Sequence, residues 1–262
     1  MGFKTQFGLL AVMTLTSAAV SGEKFLAVKP DFLIPCKQIE PGFNNCFAKD
    51  FQAAFTNWND GIPGLKSFGS FDPMYVKRVV ITDGGNNPIS LNMELTNLKF
   101  TGLKHSNFKD ASYDHAKSLT KLRMSVPTVQ INADYDMKGR VLALPLNGKG
   151  KTKMNIENLG IDIAIRLKIR KEDGFLFTDV DKLRLENTEV GNFQINLENL
   201  FNGQKDLEES AHALFNNNWM ELYEFLKPSI TSTIQALMKD RLKKMFAFVP
   251  ATYFIEDLVY GS

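Results

Sequence analysis

In successive stretches between positions 75 and 197 the apolar residues of this chain recur at every second position. Past position 201 they recur every three to four. The first pattern is that of strands, whose side chains alternate between two faces, and the second that of a helix. Residues 161–169 give the clearest strand: Ile161, Ile163, Ile165, Leu167 and Ile169 alternate with Asp162, Ala164, Arg166 and Lys168. Leu91, Met93 and Leu95 repeat the pattern, as do Val129, Ile131, Ala133 and Tyr135, then Phe193, Ile195 and Leu197. Turn-forming residues separate the runs: the cluster at 83–88, Gly139, and Asp173 with Gly174. No strand–helix–strand alternation is present, which argues against a parallel doubly wound sheet. An antiparallel sheet with one apolar face is expected.

That apolar face needs cover. Leu207, Ala211, Leu214, Phe215, Trp219, Leu222 and Leu226 share one helical stripe, which resumes past Pro228 with Ile230, Ile234, Leu237, Met238, Met245 and Phe246. This reads as one long C-terminal helix with a bend or junction at Pro228. A shorter helix opens at Cys46, presents Phe47, Phe51, Ala54, Phe55 and Trp58 on one face, and ends at Gly61, Pro63 and Gly64. Strands are expected at 75–82, from 89 to a bulge at Asn97 and an end at Gly102, at 118–126, and from 129. Gly139 is expected to turn the chain into 140–146, and strands at 161–169, 175–180 and 193–197 complete the sheet. The fold class is α+β.

Residues 1–22 do not belong to that fold. Lys4 precedes an apolar run at 7–20, with Ser21 and Gly22 after it, the layout of a secretory signal peptide. The run is shorter than the roughly 20 residues a bilayer span needs. A single soluble, extracellular domain over residues 23–262, working as a monomer without membrane insertion, is therefore expected. The only cysteines, Cys36 and Cys46, should be bonded in that compartment. Free thiols and a metal site are the rivals, and two cysteines with no histidine nearby make a poor zinc site. With 31 basic and 29 acidic residues, nothing calls for nucleic acid or an acidic partner.

Motifs for catalysis are missing. His105, His115 and His212 form no metal pattern and sit beside no cysteine, and no serine occupies a nucleophile elbow. They read as surface histidines, His212 on the polar side of the long helix. Gly148, Gly150, Lys151 and Thr152 resemble the tail of a phosphate loop, but Pro145 stands where its first glycine belongs, so a plain turn is expected there. Lys239, Arg241, Lys243 and Lys244 crowd the end of the last helix, where cations suit its dipole. An enzyme is not expected, nor is a cofactor.

The stretch Tyr135-Asp136-Met137-Lys138-Gly139-Arg140-Val141-Leu142-Ala143-Leu144-Pro145-Leu146-Asn147-Gly148-Lys149-Gly150 resembles the takeout and juvenile-hormone-binding-protein family of insects. Leu200-Phe201-Asn202-Gly203, then Phe215-Asn216-Asn217-Asn218-Trp219 and Pro228, fit it too. So do Cys36, Cys46, Gly61-Ile62-Pro63, Asp72-Pro73, Asn97-Leu98 and Gly102-Leu103, in order along residues 25–258. No cysteine follows Cys46, which places the chain closer to the takeout branch than to the hormone carriers with their second disulfide. The resemblance implies a tubular lipid-binding fold, in which a strongly curved antiparallel sheet wraps the long C-terminal helix around an internal hydrophobic tunnel. It implies a secreted carrier of a terpenoid, fatty acid, quinone or other long lipid, in feeding, circadian or chemosensory physiology. A receptor or membrane surface is the partner expected at delivery.

Wall residues expected of such a tunnel are Leu91, Met93, Leu95, Val129, Ile131, Ala133, Tyr135, Ile163, Ile165, Leu167, Phe193, Ile195, Trp219, Leu222, Ile230, Ile234, Leu237 and Met238. Leu167 falls where hormone carriers place a ligand-binding tyrosine, which weakens a juvenile-hormone reading. The alternative is an extracellular protein-interaction module with a packed interior.

Overall fold

The computed structural model describes residues 23–83, 89–141 and 144–260. The apolar leader and the turn residues at 84–88 lie outside the described residues. Helix α1 (Phe43–Asn57) is followed by strands β1 (Met74–Asp83), β2 (Ile89–Thr101), β3 (Asn107–Asp114), β4 (Leu119–Val141), β5 (Leu144–Glu172), β6 (Phe175–Glu189) and β7 (Asn192–Leu197). Helices α2 (Lys205–Asn217) and α3 (Trp219–Phe248) complete the order. Neighbouring strands run β1-β2-β4-β5-β6, all antiparallel, with β3 added to β4 and β7 to β5.

Helix α1 opens three residues ahead of Cys46. Gly42, at φ 94, makes the preceding turn, and the Cys46 amide donates to its carbonyl as the first helical bond. Phe43 stacks on Phe47 at 5.2 Å, extending the apolar face by one turn. Cys36 and Cys46 are disulfide-bonded. The bond ties α1 to the leading segment, which in turn bridges Ile255 beyond α3.

Two expected strand ends are not ends. β4 runs unbroken through Pro127, because β3 pairs with it only up to Ser125 and β2 only from Gln130. Pro127 thus lies where that edge has no partner, and a missing N–H costs little there. Gly139 does not turn the chain: it pairs with Leu91 on one side and Leu146 on the other. A Cβ there would lie 2.1 Å from the Ser90 carbonyl oxygen, so close approach is its reason. Likewise Gly148, Gly150, Lys151 and Thr152 form no turn but lie within β5. The two glycines face the segment at 198–200, and side chains there would strike Leu200 Cα at 2.6 Å and the Glu198 carbonyl oxygen at 2.3 Å. The hairpin at Asp173 (φ 49) and Gly174 (φ 84) has the two left-handed residues its sequence calls for.

Asn97, at φ 53, sits in the register shift of β2. Gly102, at φ 100, ends that strand, and its amide and that of Lys104 donate to the buried Asp72 carboxylate at 2.9 and 3.1 Å. Two segments far apart in sequence thereby hold one corner of the sheet.

The C-terminal stripe is two helices, divided at Asn218 and not at Pro228, which lies inside α3. Asn218 bonds back to the Leu214 carbonyl through both its amide (3.1 Å) and its side chain (2.8 Å), closing α2. Leu207 is 45% exposed, off the buried face. Glu208 takes that place and accepts the Leu200 amide. Helix α2 also seals the edge of β7. Asn216 accepts the Ile195 N–H at 2.9 Å and donates to its carbonyl at 3.2 Å, and the Leu197 N–H donates to His212 Nε2 at 2.9 Å. Four helical residues rise about 6 Å and two strand residues about 6.6 Å, so the pairs match. His212 is therefore an edge cap, not a surface residue.

α3 spans the two ends of the sheet path. Gln235 accepts the Leu185 N–H at 3.0 Å and Lys239 donates to the Asp181 carbonyl at 3.2 Å, both on β6. On β1, Ser229 and Arg241 reach the Thr82 and Tyr75 carbonyls at 3.5 Å. The sheet curls until one helix bridges its edges β1 and β6, which satisfies edge backbone groups that water would otherwise take.

Candidate ligand-binding cavity

Two apolar clusters form inside this curl. One gathers α1, the first part of β4, the second half of β5 and the end of α3. The other gathers β2, the second part of β4 and α2. A cavity of about 350 Å³ runs between them. It follows α3 from Trp219 to Leu242, a rise of about 35 Å at 1.5 Å per residue.

The cavity wall brings together Leu91, Met93, Leu95, Val129, Ile131, Ile163, Phe193, Ile195, Trp219, Leu222, Ile230, Ile234, Leu237 and Met238. Ala133, Tyr135, Ile165 and Leu167 share the inward period but do not border it. Tyr135 is drawn aside to the Glu198 carbonyl, 2.8 Å away. Ala133 is buried in the same cluster as Tyr135. Ile165 is fully buried in the core built on α1. Leu167 borders a separate space of about 30 Å³ with Phe47, Phe51 and Phe254. The reason is common to the last two: α1 and the segment after α3 fill that end of the curl.

Other wall residues were not anticipated as such. Leu122 and Met124 continue the alternation of β4, and Phe51 and Phe55 lie on the apolar face of α1, so their period was visible but not their position beside a void. Phe71 comes from an irregular loop and carried no periodic signal.

Few polar groups reach the wall. Ser106 and Thr233 donate to their own neighbourhoods, the Leu103 and Ser229 carbonyls at 2.6 and 2.9 Å. The Tyr223 hydroxyl is buried without a hydrogen-bond partner. Burial pushes that phenol above its ordinary pKa, opposed by the Lys227 ammonium, which lies 5.5 Å from the ring. Arg241 is half-buried at the other end of α3, 5.7 Å from the Phe68 ring, and burial pulls its guanidinium below its ordinary pKa. Asp50 stands apart from the cavity beneath the disulfide, 3% exposed, and accepts the Ile34 amide at 2.9 Å. His105 is exposed, and His115 is half-buried near Tyr113. Among the described residues no three His, Cys, Asp or Glu side chains gather as metal ligands. Among the described residues, no helix is long and apolar enough to cross a membrane.

A sequence model of the family described as haemolymph juvenile hormone binding protein matches residues 9–256. The circadian clock-controlled protein daywake of Drosophila melanogaster is 22% identical over 232 residues, covering 86% of this chain and 88% of that protein. Daywake of Drosophila yakuba is 24% identical over 233 residues, with the same coverage. Among solved structures, takeout 1 of Epiphyas postvittana superimposes with a TM-score of 0.72 at 24% identity, over 84% of this chain and 98% of that one. The likeness extends to the curved antiparallel sheet with its C-terminal helices.

Proposed function

This chain belongs to the haemolymph juvenile hormone binding protein family, and we propose that it is a secreted carrier that holds a long hydrophobic ligand in the cavity along α3. The observation that carries this reading is the void itself. Native interiors are close-packed, and a dry apolar space of about 150 Å³ already binds a small hydrocarbon. A void of about 350 Å³, walled almost wholly by apolar side chains, exceeds what imperfect packing leaves. It disfavours the rival of a fully packed interaction module.

The mechanism is physical. Apolar ligand surface leaves water at about 25 cal/mol per Å², and the sparse polar groups of the wall orient what enters. A terpenoid, fatty acid or quinone fits these terms, and binding rather than turnover is the activity proposed. The leader at 1–22 supports export. The name of the daywake relatives adds a proposed setting in circadian physiology, which daily cycling of the protein would test.

Native mass spectrometry of protein purified gently from its source tests the carrier. Mass added by a copurified lipid, and displacement of a fluorescent lipid probe by apolar competitors, are the expected results. Protein that neither carries nor accepts a fatty acid, terpenoid or quinone overturns it.

A further inference from the structure

Among the described residues bordering the cavity, Arg241 is the one charged side chain. No carboxylate of the described residues lies within the 4.0 Å of an ion pair. Its sequence neighbour Asp240 is instead held by Lys244 at 2.7 Å. The protein gives the guanidinium little else: the Tyr75 carbonyl at 3.5 Å and the face of Phe68. The Asp240 carboxylate attracts it only from beyond ion-pair distance; a guanidinium partly stripped of water and without an ion pair of its own is costly to keep, and it stays charged at neutral pH.

Its position is also informative. Arg241 borders the cavity, and its Nη1 sits against Gly69, near the start of β1. Tyr75 is 62% exposed, so this end of the wall meets solvent. From Arg241 the apolar wall runs inward along α3 to Tyr223, about 27 Å at 1.5 Å per residue. The arrangement is a cation at the rim of a long apolar slot.

We propose that Arg241 receives the carboxylate head of the ligand, so that the preferred class is a long-chain free acid lying along α3, rather than a neutral ester, alcohol or quinone. The assignment rests on the carrier function proposed above. The planar fork of N–H donors matches a carboxylate's two oxygens, and the tail replaces water along the slot. A neutral head would leave the guanidinium unmatched.

Delipidated protein titrated near neutral pH with cis-parinaric acid and with its methyl ester tests this, in the wild type, Arg241→Met and Arg241→Lys. The wild type is expected to bind the acid at least about tenfold more tightly than the ester, the scale of a charge-assisted bond. Arg241→Met should abolish that preference by weakening acid binding while the ester still binds, which also reports an intact cavity, and Arg241→Lys should keep part of it. Equal binding of acid and ester by the wild type, an undiminished preference in Arg241→Met, or an equal loss for both probes overturns the assignment and leaves the carrier standing. Binding of neither probe by the wild type overturns both.

Discussion

The Tyr135 hydroxyl donates to the Glu198 carbonyl oxygen at 2.8 Å, directly across Gly150, its register partner on β5. A side chain at 150 would meet that carbonyl, so the glycine and the tyrosine are one device: the first admits the 198–200 segment and the second fastens it. Burial, with Glu208 and Glu198 nearby, pushes the phenol up to about 12, which keeps it a neutral donor. Tyr135→Phe is expected to cost about 1–2 kcal/mol in denaturant unfolding and to leave lipid-probe affinity unchanged. A loss of binding without loss of stability would return Tyr135 to the ligand.

Asn216 holds both backbone groups of Ile195 on the sheet edge. Asn216→Ala leaves these groups without their partner and should cost about 1–3 kcal/mol. Hydrogen exchange at the Ile195 amide should speed up ahead of the rest of β7. Unchanged protection there would show that α2 does not cap the strand.

Asp50 is pushed up to about 6, by burial first, against the opposing effects of the Ile34 amide and the Lys29 ammonium. The folded state therefore favours the proton on this group. Its contribution to stability is complete below about pH 4, the unfolded value, and is lost as pH rises through about 6. Asp50→Asn keeps an acceptor for Ile34 and cannot ionise. Above pH 6 it should exceed the wild type by on the order of 1–3 kcal/mol, with the two converging toward pH 4. Urea unfolding across that range decides it, and parallel curves would sink the assignment.

The Cys36–Cys46 bond closes a short loop, with a sequence separation of 10. Cys46→Ser is expected to lower stability by about 2–3 kcal/mol in the chain-entropy model. Loosening should concentrate in the leading segment and α1, read by limited proteolysis. Cleavage beginning elsewhere would contradict the pinning role.

Ile234 borders the cavity midway along α3. Ile234→Arg brings a charge into an apolar slot and should abolish lipid binding while circular dichroism stays native. Retained binding by a folded variant would move the ligand away from this wall.

Periodicity alone located the disulfided helix, the apolar C-terminal stretch and every strand but β3, because alternation at two and at 3.6 follows from backbone geometry; β3 (Asn107–Asp114) is largely polar and read as a connection. Most of the side chains it picked border the cavity, though they make up the smaller part of its wall. It misplaced events that depend on what lies across the sheet. Pro127 looks like a strand end until β4 is seen to lack a partner there. Gly139 and Gly148 look like turns until the Ser90 and Leu200 backbones are seen pressing on them. The division at Asn218 was masked by the more familiar signal of Pro228.

The order of residues therefore specifies which face of each element turns inward: the inward period names Ile165 and Leu167 as surely as Ile163. Which inward residues meet one another, and which meet empty space, depends on the three-dimensional arrangement of the elements. At Ile165 and Leu167 the curl is filled by α1 and the segment after α3, while at Ile163 and Ile234 nothing fills it. A period specifies direction, whereas a void depends on how far apart the opposing walls stand. That separation is set jointly by the curvature of two long strands and the single helix that closes their sheet.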